Sequence, residues 1–171
     1  MIIAPITQTR WKSWRSKINQ IKNSQFLELV NQRASMNYFL VKSEPFKYSW
    51  EQFNKDGQTF WDGVRNYQAR NNLKAMKKGD LVLFYHSNEG KEVVGIAKVV
   101  NEFYQDPTTD DERWVVVDLA PLETFKKSVT LETIKADSFL QDIALVRQGR
   151  LSVMPLKKEE FDRIVELGNS N

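Results

Sequence analysis

The sequence predicts an α+β protein, built as a small mixed or antiparallel β-barrel with short helices at its periphery. Strand-like and short helical stretches follow one another through the 171 residues without the regular alternation of a parallel sheet. Hydrophobic residues make up 41% of the chain, which is enough to fill the core of one domain. Small barrels of this kind commonly bind ligands at their mouths.

The composition excludes several classes of protein and of site. The chain has no run of about 18 apolar residues, so we expect no membrane-spanning segment. It has no cysteine, which excludes disulfides, thiolate catalysis and zinc bound through sulfur. Its single histidine, His86, leaves no histidine pair for a metal, and we expect neither a metal nor a cofactor. We expect a monomer in the cytoplasm, associated with the nucleoid in a bacterium or located in the nucleus of a eukaryote.

Residues 1–35 differ in charge from the remainder of the chain. They contain six basic residues and one acidic residue, which leaves 19 basic and 21 acidic residues in 36–171 from totals of 25 and 22. Aromatic and aliphatic residues at helical spacing, from Trp11 to Ile21, predict a cationic amphipathic helix. We expect a basic N-terminal extension, interpreted as a start codon placed too early, an organelle presequence or a nucleic-acid-binding arm.

Strands are predicted where β-branched and aromatic residues lie between turn residues. The clearest is a hairpin in which a polar turn at 88–90 joins two such stretches. Pro45 ends the first strand, because proline lacks the amide hydrogen that a sheet ladder needs. The predicted strands are 38–42, 81–87, 92–103 and 114–119, with an extended stretch, broken by Gly149, at 143–153.

Helices are predicted where a capping residue precedes apolar residues at helical spacing. Ser49, Asn66 and Thr130 can each accept a hydrogen bond from a first-turn amide. Gly79 and Gly168 are predicted to close two of the helices, because glycine adopts the left-handed conformation of a C-terminal cap. The predicted helices are 49–55, 67 to 77 or 78, 131–136 and 157–167, the last of them preceded by Pro155.

Residues 61–71 are the best candidate for ligand recognition. They combine two large aromatic side chains with two arginines and two asparagines, which suits a planar polar ligand. Along the predicted helix, apolar residues repeat from Ala69, and basic residues repeat about one position further round. These basic residues, Arg70, Lys74 and Lys77, form a basic stripe that favours anion binding, although an ordinary solvated helix face is the alternative.

Five segments carry a resemblance to a known family: FLVKSEP at 39–45, WDGVRNYQARN at 61–71, GDLVLFYHS at 79–87, VGIA at 94–97 and RLSVMPL at 150–156. In this order, over about 37–168, they resemble the EVE domain family. The fold of that family is similar to PUA domains and to the YTH readers of methylated RNA. The resemblance therefore implies a PUA-like barrel over residues 36–171 with a pocket for one base. The sequence departs from the family at Gly149, where Ser or Pro is usual, and at Lys157, where a capping Thr or Ser is usual.

The resemblance implies a module that reads a single modified base, with modified cytosine such as 5-methylcytosine in DNA favoured and RNA as the alternative. Reading one base requires stacking its ring and matching its polar edge with fixed donors and acceptors. We expect Trp61 and Tyr85 to contact the ring. The predicted base pocket is Lys42, Ser43, Glu44, Pro45, Trp61, Gly63, Val64, Asn66, Tyr67, Asn71, Tyr85, His86 and Ser87, and the predicted phosphate-binding residues are Arg65, Arg70, Lys74 and Lys77.

Each assignment has a structural alternative. Trp61 and Tyr85 can be core residues, His86 a hydrogen-bonded interior imidazole, and Asn66 a plain helix cap. Asp62, Glu44 and His86 can be combined into an acid–base set, but the sequence has no nucleophile elbow, phosphate loop or metal-ligand spacing. We therefore expect no enzyme. A nucleic-acid-processing enzyme and a protein-interaction adaptor are the alternative functions.

Overall fold

The computed structural model describes Ser24 and residues 36–170. The chain divides into two compact units, Met1–Met36 and Asn37–Asn171, and the description below concerns the second. The amphipathic helix predicted near the N-terminus lies outside the described residues. Among the helices of the described part, none is both long enough and apolar enough to cross a membrane.

Six strands of the described residues form one mixed sheet in the order β2-β5-β4-β3-β1-β6. Strands β1 and β3 are parallel, and all other neighbours are antiparallel. The predicted α+β fold is thus confirmed, whereas the strand order is that of an open sheet and its closure into a barrel stays a prediction. The strands are β1 (Tyr38–Ser43), β2 (Thr59–Phe60), β3 (Leu81–His86), β4 (Glu92–Gln105), β5 (Val115–Thr130) and β6 (Val153–Leu156).

Five helices of the described residues pack around this sheet, and three begin at the predicted caps. Ser49 accepts a hydrogen bond from the amide of Gln52, and Asn66 accepts one from the amide of Ala69. Thr130 accepts one from the amide of Thr133. These caps satisfy amides that have no partner within the first turn. The helices are α1 (Trp50–Asp56), α2 (Tyr67–Ala75), α3 (Leu131–Ala136), α4 (Ala144–Arg147) and α5 (Lys158–Asn169).

An aromatic cluster around Phe84 joins α1 to the sheet. The Phe84 ring is stacked on Phe53 at 5.6 Å and meets Trp50 and Trp61 edge-on at 5.2 and 5.5 Å. The Trp50 indole also donates a hydrogen bond to the hydroxyl of Thr124 in β5, at 3.0 Å. Gly95 of β4 lies directly beneath this indole, and a Cβ atom at that position would be 2.3 Å from it. The cluster therefore fixes the position of Trp61, the first residue after β2.

Two of the predicted element ends are wrong because tertiary contacts override local patterns. Helix α2 ends at Ala75 rather than at 77 or 78, and its C-cap Met76 is extended and fully buried. The carboxylate of Asp80 then accepts the amide of Lys77 at 2.8 Å, which holds the chain outside the helix. Gly168 lies inside α5 rather than after it, against the ring of Phe125.

Two predictions about the C-terminal half are also wrong. Strand β5 continues through Pro121 to Thr130 instead of ending near residue 119. The ladder between β4 and β5 contains several register shifts, one of them at Ile96/Ala97, where Pro121 is paired with Ala97. Such irregularities accommodate a residue that lacks an amide hydrogen. The stretch 143–153, predicted to be extended, contains the single-turn helix α4.

Candidate functional site

A cavity of about 640 Å³ opens at the C-terminal end of β1. Five chain segments contribute to it: the end of β1, the turn after it, β2 with the following loop, the residues after β3, and the segment before β6. Its lining residues are Lys42, Ser43, Glu44, Lys47, Tyr48, Thr59, Phe60, Trp61, Asp62, Gly63, Val64, Ser87, Asn88, Gly149, Arg150 and Ser152.

Backbone hydrogen bonds between these segments give the cavity a fixed shape. The Lys42 amide donates to the carbonyl of Ser152 at 2.9 Å, and the Ser87 amide donates to the carbonyl of Ser43 at 2.8 Å. The Lys42 ammonium reaches across to the carbonyl of Gly149 at 2.9 Å, and burial lowers its pKa. On the opposite side, the Trp61 amide donates to the carbonyl of Val117 in β5 at 2.8 Å. Each wall is thus attached to the sheet.

The aromatic residues of the cavity differ strongly in exposure. Trp61 is only 7% exposed and packs edge-on against Phe84, so it forms part of the cavity wall and of the core together. Phe60, its neighbour, is 42% exposed and is one of the residues that line the cavity. Tyr48 donates its hydroxyl to Asp56 at 2.8 Å, and burial together with this carboxylate raises its pKa to about 12. Phe60 is therefore the accessible ring, which the sequence analysis did not identify.

The polar side chains of the cavity fall into two groups. In the first, Ser43 donates its hydroxyl to the Tyr48 carbonyl at 2.6 Å, and Glu44 pairs with Lys47 at 2.9 Å. The second group makes no side-chain hydrogen bond or ion pair with any other described residue, although all of its members line the cavity. It consists of Asp62, Ser87, Asn88, Arg150 and Ser152. These five residues, termed the unpaired polar set, offer both donors and acceptors to a ligand.

Seven predicted pocket residues line the cavity, and six do not. The seven are Lys42, Ser43, Glu44, Trp61, Gly63, Val64 and Ser87. The six outside it are Pro45, Asn66, Tyr67, Asn71, Tyr85 and His86. Tyr85 is 3% exposed, and burial raises the pKa of its hydroxyl. Tyr85 therefore belongs to the core, which is the structural alternative given for it above.

His86 and Asn66 make the contacts expected of their structural alternatives. The Nε2 atom of His86 accepts the amide of Trp50 at 3.1 Å, which supports the start of α1. Burial lowers the pKa of this imidazole, although Glu92 and Glu51 act in the opposite direction. Asn66 caps α2 through the bond to Ala69. Neither residue lines the cavity, so the geometry does not support the ligand-binding roles predicted for them.

The predicted phosphate-binding residues lie on a different surface from the cavity lining. Arg65 pairs with the fully buried carboxylate of Asp106 at 2.8 Å. Lys77 pairs with Glu102 at 2.9 Å, and Lys74 lies 5.6 Å from the centre of the Phe103 ring. Each of these cations is thus engaged by a neighbour, and binding of phosphate by them stays a prediction.

Tyr67 belongs to this second surface as well. Its ring is stacked on Trp114 at 5.3 Å, and the Arg70 guanidinium lies 4.9 Å above it. Arg70 also donates to the side-chain oxygen of Asn71, at 2.9 Å. Residues 61–71 therefore divide after Val64, because 61–64 line the cavity, whereas Arg65, Tyr67 and Arg70 contact the segment between β4 and β5.

Neither departure from the family pattern disturbs the local structure. A Cβ atom at Gly149 would meet nothing within 4 Å, so this site does not require glycine for space. The side chain of Lys157 makes no capping bond, as predicted, but its amide donates to Glu160 at 2.9 Å. This bond satisfies one of the amides that a Ser or Thr cap would not reach.

Comparison with known proteins identifies the family. The family model described as the EVE domain matches residues 37–167. The chain belongs to the EVE domain family. Among curated proteins, this EVE protein is similar to thymocyte nuclear protein 1 of Mus musculus, with 38% identity over 165 residues that cover 77% of this chain and 73% of that protein.

Solved structures show the same relationship. The EVE protein is 46% identical in sequence to an Agrobacterium tumefaciens protein of known crystal structure. The match covers 77% of the EVE protein and 92% of the A. tumefaciens chain, with a TM-score of 0.76. Human THYN1, solved in complex with 5-methylcytosine containing DNA, is 32% identical to the EVE protein, with a TM-score of 0.73. That match covers 80% of the EVE protein and 99% of the human chain. The YTH domain of Zygosaccharomyces rouxii MRB1 is 15% identical with a TM-score of 0.53, a likeness of fold that confirms the expected relationship.

Proposed function

We propose that this EVE protein binds nucleic acid by taking one modified base into the cavity, with 5-methylcytosine in DNA as the leading ligand and RNA as the alternative. The observation that supports this most strongly is the cavity itself, open at the end of β1 and lined by one indole and the unpaired polar set. The human relative at 32% identity has been solved with 5-methylcytosine containing DNA, which points to the same ligand class.

The cavity has the size and composition that such a ligand needs. Its volume of about 640 Å³ lies within the range of roughly 300–1,000 Å³ that is typical of small-molecule sites. Removing a base from its stack costs a few kcal/mol, and contact with an aromatic ring returns about 1–3 kcal/mol. The indole of Trp61, fixed by Phe84, supplies such a contact without having to be ordered on binding.

The unpaired polar set can distinguish cytosine from other bases. Cytosine presents an exocyclic amino group as a donor, and carboxylates accept from this group in protein–DNA complexes. Asp62 is exposed, lines the cavity and has no other partner among the described residues, so we assign it to the amino group. Ser87, Asn88 and Ser152 then supply donors for the ring nitrogen and the carbonyl oxygen.

The charges at the cavity favour a polyanionic partner. Lys42, Lys47 and Arg150 line it, against the carboxylates of Glu44 and Asp62. Glu44 is already paired with Lys47, whereas Arg150 is unpaired among the described residues. We therefore assign phosphate contact at this site first to Arg150.

We further propose that the protein acts by binding alone, as a monomer with a PUA-like barrel over residues 36–171. The acid–base set considered from the sequence does not assemble, since Nε2 of His86 is engaged by Trp50 and Glu44 pairs with Lys47. The long register-shifted ladder between β4 and β5 supports the curvature that a barrel requires.

A binding titration tests the proposal. Fluorescence anisotropy would compare labelled DNA and RNA oligonucleotides that carry one central cytosine or one 5-methylcytosine, as single strands and as duplexes. We expect tighter binding of one modified form. Asp62→Ala should weaken that binding about tenfold, because one well-placed base contact is worth roughly 1–3 kcal/mol.

The control is Asp110→Ala, which removes an exposed carboxylate from the loop after β4, outside the cavity lining. It should leave affinity unchanged, and both variants should keep the thermal midpoint of the parent. Equal affinity for modified and unmodified oligonucleotides, together with no effect of Asp62→Ala, would refute the proposed function.

A further inference from the structure

Phe60 is an exposed apolar side chain at the rim of a polar cavity. It is 42% exposed and lines the cavity, while Trp61 next to it is 7% exposed. Within the described residues, its ring takes part in no aromatic or cation–π contact. A half-exposed phenylalanine without a ring partner contributes little to the core, so its position calls for another explanation.

The backbone at Phe60 is held firmly. β2 is paired with β5 in antiparallel register, with Thr59 opposite Leu119 and Phe60 opposite Asp118. The next amide, that of Trp61, continues this pairing with its bond to Val117. Successive strand residues point to opposite sides, which places the Phe60 ring outward when the Trp61 indole is turned towards Phe84. The backbone that carries the ring is therefore part of the sheet.

An exposed apolar ring can stabilise a duplex that gives up one base into a cavity. Extrusion leaves the neighbouring base pairs without a stacking partner, and proteins that distort DNA insert apolar side chains between base steps to replace it. Trp61 is too deeply buried for this purpose. Phe60 combines an exposed ring, a backbone held in the sheet and a place in the cavity lining.

The surroundings of the cavity fit a duplex as well. A second exposed ring, Phe46, is 68% exposed in the turn after β1, and the ammonium of Lys47 lies 5.5 Å from its centre. Lys47 and Arg150 both line the cavity together with Phe60, and Phe46 precedes Lys47 in the chain without lining the cavity itself. This combination of apolar and basic groups matches stacked bases flanked by phosphates.

We infer that Phe60 is a stacking wedge for duplex DNA, which packs against the base pairs beside the extruded nucleotide and takes the place of that nucleotide. The inference rests on the proposed function, and it adds that the natural substrate form is a duplex. The cavity then holds the extruded base, and the ring of Phe60 contacts the base pairs on either side of the position that this base has left.

The test compares duplex and single-stranded forms of one oligonucleotide that carries 5-methylcytosine. Phe60→Ala should weaken duplex binding by at least about tenfold, the effect of losing one aromatic stacking platform, and single-strand binding by less than about threefold. Phe60→Trp should restore duplex binding. Phe60→Thr, which removes the ring and introduces a β-branched side chain that favours a strand, provides a second ring-deleted variant should the alanine variant fold poorly.

Leu122→Ala is the matched control, because Leu122 is a 52% exposed apolar residue in β5 that does not line the cavity. It should change neither affinity. A fluorescent base analogue placed beside the modified cytosine supplies a second readout, since its signal reports loss of stacking. The parent and Phe60→Trp should quench this analogue on binding more than Phe60→Ala does.

Equal losses of single-strand and duplex binding would overturn the inference and make Phe60 an ordinary wall of the base pocket. Unchanged duplex binding by both ring-deleted variants would overturn it as well. Either result leaves the proposed function standing, because the parent protein still prefers the modified base. Failure of the parent to bind any modified oligonucleotide refutes the proposed function, and the wedge with it.

Discussion

Replacing Arg65 with alanine should lower stability rather than weaken contact with nucleic-acid phosphate. The guanidinium lies 2.8 Å from a carboxylate oxygen of Asp106, whose side chain is completely buried. Asp106 also accepts the amide and the hydroxyl of Thr108 at 2.9 and 2.6 Å. Burial alone would raise the pKa of Asp106, but the bonds from Thr108 and Arg65 outweigh it and lower this pKa.

The magnitude follows from these contacts. Loss of a hydrogen bond to a charged group costs about 1.5–3 kcal/mol. Arg65 is 41% exposed and Asp106 keeps both bonds from Thr108, so the lower end of that range, about 1.5 kcal/mol, is expected for Arg65→Ala. Urea denaturation at pH 7 would measure it. For Arg150→Ala, the free energy of unfolding should change by less than about 0.5 kcal/mol, because Arg150 is exposed and unpaired among the described residues.

The salt dependence of DNA affinity should be changed by replacing Arg150 and not by replacing Arg65, which is the reverse of the effect on stability. Each phosphate contact contributes about 0.9 to the slope of log affinity against log salt concentration for B-DNA. Arg150→Ala should reduce this slope by about that amount, whereas Arg65→Ala should leave it unchanged. A stable Arg65→Ala protein with a reduced slope would refute this reasoning and support the assignment of Arg65 to phosphate that was made from the sequence.

Two further predictions concern the core and pH. Gly95→Ala should lower the free energy of unfolding by roughly 1–3 kcal/mol, because the added Cβ atom would be 2.3 Å from the Trp50 ring, whereas ordinary contacts are 3.4 Å or more. Thermal denaturation would measure this, with Gly149→Ala as a control that should change the midpoint little. Equal midpoints for the two variants would contradict the prediction. His86 has a folded-state pKa below its ordinary 6.5, so the unfolded chain takes up a proton first as pH falls. The contribution of His86 to the free energy of unfolding should therefore be complete above about pH 6.5 and decline below it. Urea denaturation at several pH values should show no such decline for a His86→Gln variant. An identical decline in the variant would show that other groups cause it.

The fold could be predicted largely because its signals are local. The caps at Ser49, Asn66 and Thr130 each depend on one side chain and an amide three residues further on, so sequence alone identifies them. The end of α2 could not be predicted, because it depends on Asp80, which also accepts the amide of Asn37 at 2.9 Å. Gly168 was misassigned for a similar reason, since its role is close packing against a residue 43 positions away, Phe125.

The site could be predicted only in part, for a geometric reason. Segments 42–44 and 61–64 were identified by residue type, and they do line the cavity. The segment 149–152 reaches the same place because Ser152 pairs with Lys42, a contact across more than 100 residues that no local pattern reveals. Arg150 does occur in one of the segments that resemble the family, and this signal could have identified it.

The exposure of the aromatic rings could not be predicted from the sequence for a related reason. The resemblance to the family favoured Trp61 and Tyr85 for contact with the base, whereas residue type left a core role open for both. Which ring faces outward depends on the pairing of β2 with β5, and this two-residue strand is too short to give a recognisable alternation. Phe60 became visible as the accessible ring only once that register was known.

The outer strands of the sheet affect how the protein behaves at high concentration. β2 at one side consists of only two residues, and β6 at the other carries Pro155, which is exposed and has no amide hydrogen to offer. Short or proline-containing borders give a neighbouring molecule little unoccupied backbone with which to extend the sheet. We therefore expect little intermolecular pairing at β2 and β6 themselves.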